Sequence, residues 1–245
     1  MEGGAAQCDT MNRHTFSAFD DDLRDIHDDI LTMMKLARRN SKRAINALLN
    51  GQKEKARRVI DADEVVDALE LQIDRKARMI IVHHQPVASD LRTVFTTMKI
   101  TTELERISDL ATCIARMALE EEPDPVTDEL MIMKPLLFNM FRLALQAFKA
   151  SDAAIAAQLI AYDRHLNESC HAIDRVLHSM MVEDPARTER CIAVANVAKR
   201  IERIGDHLKN IGQMIVYQVS GREARHVDPK MLEALLCGDD EDEEG

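Results

Sequence analysis

Two stretches of this 245-residue chain, "LERISDLATCI" at 104–114 and "IERIGDHLKNI" at 201–211, repeat one unfavourable choice. Each places a Glu and an Asp four residues apart, Glu105 with Asp109 and Glu202 with Asp206. In a helix such residues share a face, and like charges there cost about 0.2–0.5 kcal/mol. The repetition runs well beyond the pair. Ile73-Asp74-Arg75 recurs 100 residues on as Ile173-Asp174-Arg175, and Ala56, Ile60 and Asp63 recur at the same offset as Ala156, Ile160 and Asp163. Pro86 returns as Pro185, 99 on, and Glu105 and Asp109 return as Glu202 and Asp206, 97 on. A slowly shrinking offset, with polar residues and turn positions matching together, marks a duplicated unit that has lost a few residues. The chain must therefore build one fold twice.

Each copy reads as three long helices. Only 8 Gly and 6 Pro interrupt a chain dominated by Ala, Leu, Ile, Met, Arg and acidic residues, most of which suit helices. Helical periodicity predicts segments over 16–49, 53–84 and 89–120, then 127–150, 152–182 and 185–220. Asn50-Gly51, Gln85-Pro86, the acidic "EEEPDP" and Gly221 close four of them. Ser89 and Asp90 are candidate N-caps of the third. Three long helices with short loops pack as an antiparallel bundle. The expected fold is all-α: six long helices as two tandem three-helix bundles with pseudo-twofold symmetry. The expected divisions are a tail over 1–13, repeats over 14–122 and 123–225, and a C-terminal segment over 226–245 with an acidic end.

The paired acids have company. In the last helix Ile201, Ile204, Leu208, Ile211 and Ile215 form a buried stripe, with Glu202, Asp206 and Asn210 beside it. Lys199 lies three before Glu202, and Arg203 and Lys209 lie three from Asp206, so salt bridges could make this an ordinary solvated face. The second helix, however, carries Asp63, Asp67, Glu70 and Asp74 at steps of four, three and four, and the fifth carries Asp163, Asn167 and Asp174 at matching places. Antiparallel neighbours could turn these acidic faces together. Converging carboxylates are unfavourable unless protonated or bridged by a cation. Oxygen ligands favour hard or borderline ions such as Mg²⁺, Mn²⁺, Ca²⁺ or iron. The candidate metal ligands are thus Glu105, Asp109, Glu202, Asp206, Asn210, Asp63, Asp67, Glu70, Asp74, Asp163, Asn167 and Asp174.

These residues resemble the PhoU family, the regulators of bacterial high-affinity phosphate uptake. The resemblance rests on "ERIGD" at Glu202–Asp206 followed by Asn210, on its copy "LERISD", on "HQPVASDLR" at His84–Arg92 and on "GREARHV" at Gly221–Val227. It covers residues 14–236. Ser108 stands where glycine is usual, Thr112 and Cys113 replace a more polar continuation, and Asn167 and Cys170 stand opposite Asp67 and Glu70. The first site is therefore expected to bind metal less well. The resemblance implies a cytoplasmic, dimeric regulator and not an enzyme, loaded with divalent or iron ions (Mg, Mn, Fe or Zn). Its implied partners are the ATPase subunit of the phosphate ABC transporter and the phosphate-sensing histidine kinase, with the membrane reached only through them. It would act as a negative regulator of phosphate uptake and of the phosphate-starvation response.

Other features point elsewhere or nowhere. The formal charge is −11, of which six units lie in Asp239–Glu244, leaving −5. An acidic body argues against nucleic acid, whose binding is driven by phosphate neutralisation, and the run itself reads as a solvated tail. Five scattered cysteines without CxxC spacing read as reduced thiols. The N-terminus lacks the apolar core of a signal peptide, and no apolar run of about 18 residues is present to span a membrane. Glu168 and His171 form an ExxH, the spacing used by di-iron bundles. The matching residues Ala68 and Leu71 cannot ligate, which weakens the alternative of a carboxylate-bridged metalloenzyme. His83 and His84 suit a helix C-terminus. The Met residues and the apolar run Met140–Phe148 suit a core. No glycine-rich phosphate loop or nucleophile set is present.

Overall fold

The computed structural model describes residues 5–120 and 129–224, with side chains from residue 18. The acidic junction, the Asp239–Glu244 run and the last three residues of "GREARHV", His226 among them, lie outside the described residues. Among the described residues every regular element is a helix, and no strand is present.

Seven helices follow in order: α1 Ala5–Asn50, α2 Lys53–Asp61, α3 Asp63–His84, α4 Ala88–Glu120, α5 Met133–Ala150, α6 Ala153–Glu183 and α7 Thr188–Ser220. They occupy the six expected segments. The second is interrupted at Ala62, whose φ −79°, ψ −10° keeps it near helical geometry. The fourth begins only at Met133, after a short 3-10 turn at 129–131.

Helix ends have local causes. Gln85 and Ser151 take left-handed φ of 49° at the ends of α3 and α5, and Gly51 and Gly221 take 61° and 72°. Asp152 caps α6, its Oδ1 accepting from the backbone N–H of Ala154 at 2.8 Å and Ile155 at 3.0 Å. Ser89 does not cap α4; its hydroxyl turns toward Asp90 Oδ1 at 3.5 Å, because the helix already starts at Ala88.

The helices form two bundles, α1 with α2, α3 and α4, and α5 with α6 and α7. The bundles meet mainly along α4 and α7, with a smaller contact between α1 and α5. Arg92 Nε donates to the Gln218 carbonyl at 3.2 Å, while farther along α4 Glu103 meets His207 and Asn210, so α4 and α7 run antiparallel. The core is continuous. It takes Ile26, Ile30, Met33, Ile45 and Leu48 from α1, Leu104, Ile107 and Ile114 from α4, and Ile201, Ile204, Leu208 and Ile211 from α7. Met140, Phe141, Ala144 and Phe148 are buried, as the apolar run suggested, and Phe148 stacks on His27 at 4.5 Å.

The glycine of "ERIGD" lies against the Leu166 side chain. A Cβ on Gly205 would meet Leu166 Cδ2, so a larger residue there needs the leucine to turn aside. At the corresponding places the first repeat has Ser108 and the smaller Val66, both buried.

Candidate metal centre

In the first repeat, α3 and α4 run antiparallel and turn their acids toward one strip. Asp63 sits at the start of α3 opposite Ser108, whose Oγ donates to Asp63 Oδ1 at 3.3 Å. Burial raises the Asp63 carboxyl above the ordinary aspartate range, and Asp109 and Asp67 push the same way. Glu70 is raised by burial and then by Asp67, Asp74 and Asp109. Glu105 responds most: burial, then the Asp109 carboxylate and Glu70, push it up to about 7. Asp74 is partly neutralised by Arg78 Nη2 at 3.0 Å on its outer side. The two helices thus bring together Asp63, Asp67, Glu70, Asp74, Glu105 and Asp109 closely enough for their charges to interact.

The second repeat holds the same plan with different compensation. Asp163 is 3 % exposed and Glu202 9 %. Asp163 Oδ2 accepts from Lys209 Nζ at 2.9 Å and from Asn167 Nδ2 at 3.1 Å. Its Oδ1 and the Asn167 Oδ1 are buried without a hydrogen-bond partner. Glu202 pairs with Lys199 Nζ at 2.5 Å. Asp206 is raised by burial and by Asp163, with Lys209 working against them. Cys170, in the place of Glu70, is pushed up to about 12 by burial and by Glu202 and Asp174, so it stays a neutral thiol there.

Asn210 does not join this group. Its Nδ2 donates to Glu103 Oε2 at 3.1 Å across the junction of the repeats, beside His207 Nδ1 at 2.6 Å on the same oxygen. Burial alone would raise Glu103, but these two hydrogen bonds hold it below the ordinary glutamate range. Eight residues of helix rotate a side chain about 80° from its starting face, enough to turn Asn210 from α6 toward α4. Glu103 itself carried no pattern in the sequence.

Lys199 and Lys209 correspond to Thr102 and Thr112 in the first repeat. The first strip therefore lacks the lysines that offset the second. The first strip carries the larger excess of negative charge, and the second leaves Asp163 Oδ1 and Asn167 Oδ1 buried without a donor. Among the described residues, no three His, Cys, Asp or Glu side chains are placed so that they could hold a metal ion as they stand. Glu168 points outward to Arg164 at 3.5 Å, which leaves the ExxH on an exposed surface.

Two stretches, residues 30–118 and 130–215, match the PhoU domain. The chain belongs to the PhoU family. It is 34 % identical to the phosphate-specific transport system accessory protein PhoU of Escherichia coli K12 over 235 residues, covering 95 % of this chain and 98 % of that one. It is 32 % identical over 234 residues to the Burkholderia homologue, covering 93 % and 100 %. The crystal structure of PhoU from Pseudomonas aeruginosa superposes with a TM-score of 0.79 at 31 % identity, covering 83 % of this chain and all of that one. The phosphate transport system regulatory protein PhoU from Streptococcus pneumoniae shares the fold, with a TM-score of 0.78 at 24 % identity over 86 % of this chain and 99 % of that one. The PhoU relatives are accessory or regulatory proteins rather than enzymes. Membership makes this chain a phosphate-transport accessory protein and removes the metalloenzyme alternative. No helix among the described residues is long and apolar enough to cross a membrane.

Proposed function

We propose that this chain is a cation-binding negative regulator of high-affinity phosphate uptake. In phosphate-replete cells it restrains the ATPase subunit of the phosphate ABC transporter and holds the phosphate-sensing histidine kinase in its repressing state. It works in the cytoplasm as a dimer and reaches the membrane through these partners. The reading is supported by relatives named for the phosphate-specific transport system, matched over nearly the whole chain.

One observation carries the cation: the Glu105 carboxyl is pushed up to about 7 by burial and by acids on two helices. Glu105, Asp109, Asp63, Asp67, Glu70 and Asp74 would hold an ion in the first repeat, and Glu202, Asp206, Asp163, Asn167 and Asp174 in the second. A bound Mg, Mn, Fe or Zn ion supplies the positive charge that lets these carboxylates stay ionised together. The chain's own part is to orient the acids from two packed helices and to exclude water on the core side.

Deleting the gene and assaying alkaline phosphatase in phosphate-rich medium tests the regulatory reading. Constitutive high activity is expected, restored to a low level by the intact gene. Unchanged low activity in the deletion strain contradicts the role.

A further inference from the structure

The corner where α1 turns into α2 carries charge of the opposite sign to the rest of the body. Arg39, Lys42 and Arg43 stand at i, i+3 and i+4 on α1 and so share a face. The chain reverses at Gly51 and brings back Lys55 and Arg58 on α2. These five cations and Asn46 line one cleft of about 260 Å³. Arg58 Nε reaches Glu54 at 3.5 Å. Among the described residues Arg39, Lys42, Arg43 and Lys55 have no acidic partner.

The fold does not require this cluster. The core face of the same turns is made by Ala37, Ala44, Ile45, Ala47 and Leu48. At the 100-residue offset the second repeat has Asn139, Arg142, Leu143, Ile155 and Gln158. There the one cation is satisfied internally, Arg142 donating to Asn139 Oδ1 at 2.7 and 3.0 Å and to Gln146 Oε1 at 2.6 Å. A duplicated unit that repeats its acids in register keeps these cations in one copy only.

We propose that this cleft binds a short condensed phosphate, two or three linked phosphoryl groups. Arginine forks match phosphoryl oxygens two at a time, and lysines supply mobile positive charge. Four unpaired cations call for a multivalent anion. The volume accommodates several waters at about 30 Å³ each, and hence a chain of phosphoryl groups. No aromatic or apolar side chain lines the cleft, so a nucleotide would find nothing on which to stack its base. This site is separate from the acid strips and does not rest on their holding a metal.

The test is calorimetric titration of the full chain, stripped of metal by chelator and dialysis, with tripolyphosphate, pyrophosphate, sulfate and ATP. Tripolyphosphate and pyrophosphate are expected to bind, with sulfate at least tenfold weaker. ATP, which offers the same phosphates with a base, is expected to bind no tighter than tripolyphosphate. Lys42 and Lys55 are exposed, so the pair K42Q/K55Q should weaken tripolyphosphate at least tenfold with an unchanged melting temperature, whereas E105Q should not. Equal binding by wild type and K42Q/K55Q, no binding at millimolar tripolyphosphate, or equal affinity for sulfate overturns the proposal. So does binding to anionic-lipid vesicles that tripolyphosphate fails to displace, which would make the patch a membrane contact.

Discussion

Lys209 Nζ lies 2.9 Å from Asp163 Oδ2, joining the last helix to the one before it, and the corresponding residue of the first repeat is Thr112. One repeat thus carries a built-in cation where the other carries a hydroxyl. Removing it with Lys209→Met leaves a carboxylate only 4 % exposed with a single amide donor. A loss of about 2 kcal/mol is expected in urea unfolding, the cost of an uncompensated buried group, and added Mn²⁺ should recover part of it. An unchanged midpoint would show that Asp163 is already satisfied by other means.

The first repeat invites the reverse change. Thr112→Lys places an ammonium opposite Asp63, as Lys209 stands opposite Asp163. Thr112 is buried, so the longer side chain costs stability on its own, and the variant should gain less than wild type on adding Mn²⁺. Equal gains in both proteins would show that the strip does not need a cation.

Glu105 sets a pH dependence whose sign is fixed. Its folded-state carboxyl is raised from 4.5 to about 7, so the folded chain binds this proton more tightly than the unfolded one. Stability therefore falls as pH rises from about 4.5 to about 7 and is flat beyond. In Glu105→Gln that fall should shrink, and the variant should be the more stable protein at pH 8 without metal. Parallel profiles for the two proteins between pH 4.5 and 8 would contradict the crowding of acids described above.

Gly205 tests the approach of α6 to α7. Gly205→Ala drives a methyl against Leu166 Cδ2 in a filled core, at an expected cost of about 1–3 kcal/mol. Leu166→Val should offset part of it in a double-mutant cycle, following the Ser108 and Val66 combination of the first repeat. Strict additivity of the two changes would argue that the contact is unimportant.

Much of this was legible in the chain. The duplication, the six helical segments and the acidic faces on α3, α4, α6 and α7 follow from residue spacing, because burying one face of a helix imposes a period that a linear sequence displays. Which face meets which neighbour does not follow. Asn210 continues the Glu202–Asp206 row on paper, but helical rotation carries it to Glu103 on α4. Lys209 was visible as a neighbour of Asp206 along α7, yet it pairs with Asp163 across to α6. Glu103 has no periodic partner, and only the packing of α4 on α7 reveals it. The break at Ala62 is a single residue with near-helical angles, below what composition can signal.

The central claim is that acids of both repeats converge into strips that a cation relieves. Melting temperature against Mn²⁺ concentration at pH 8, in wild type and in the variant E105Q/D109N/E202Q/D206N, tests it most directly. Wild type should start lower and rise with Mn²⁺, gaining about 2.7 kcal/mol at a hundred times the dissociation constant. The variant should start higher and stay flat. The same rise in both proteins, or none in wild type, would contradict it.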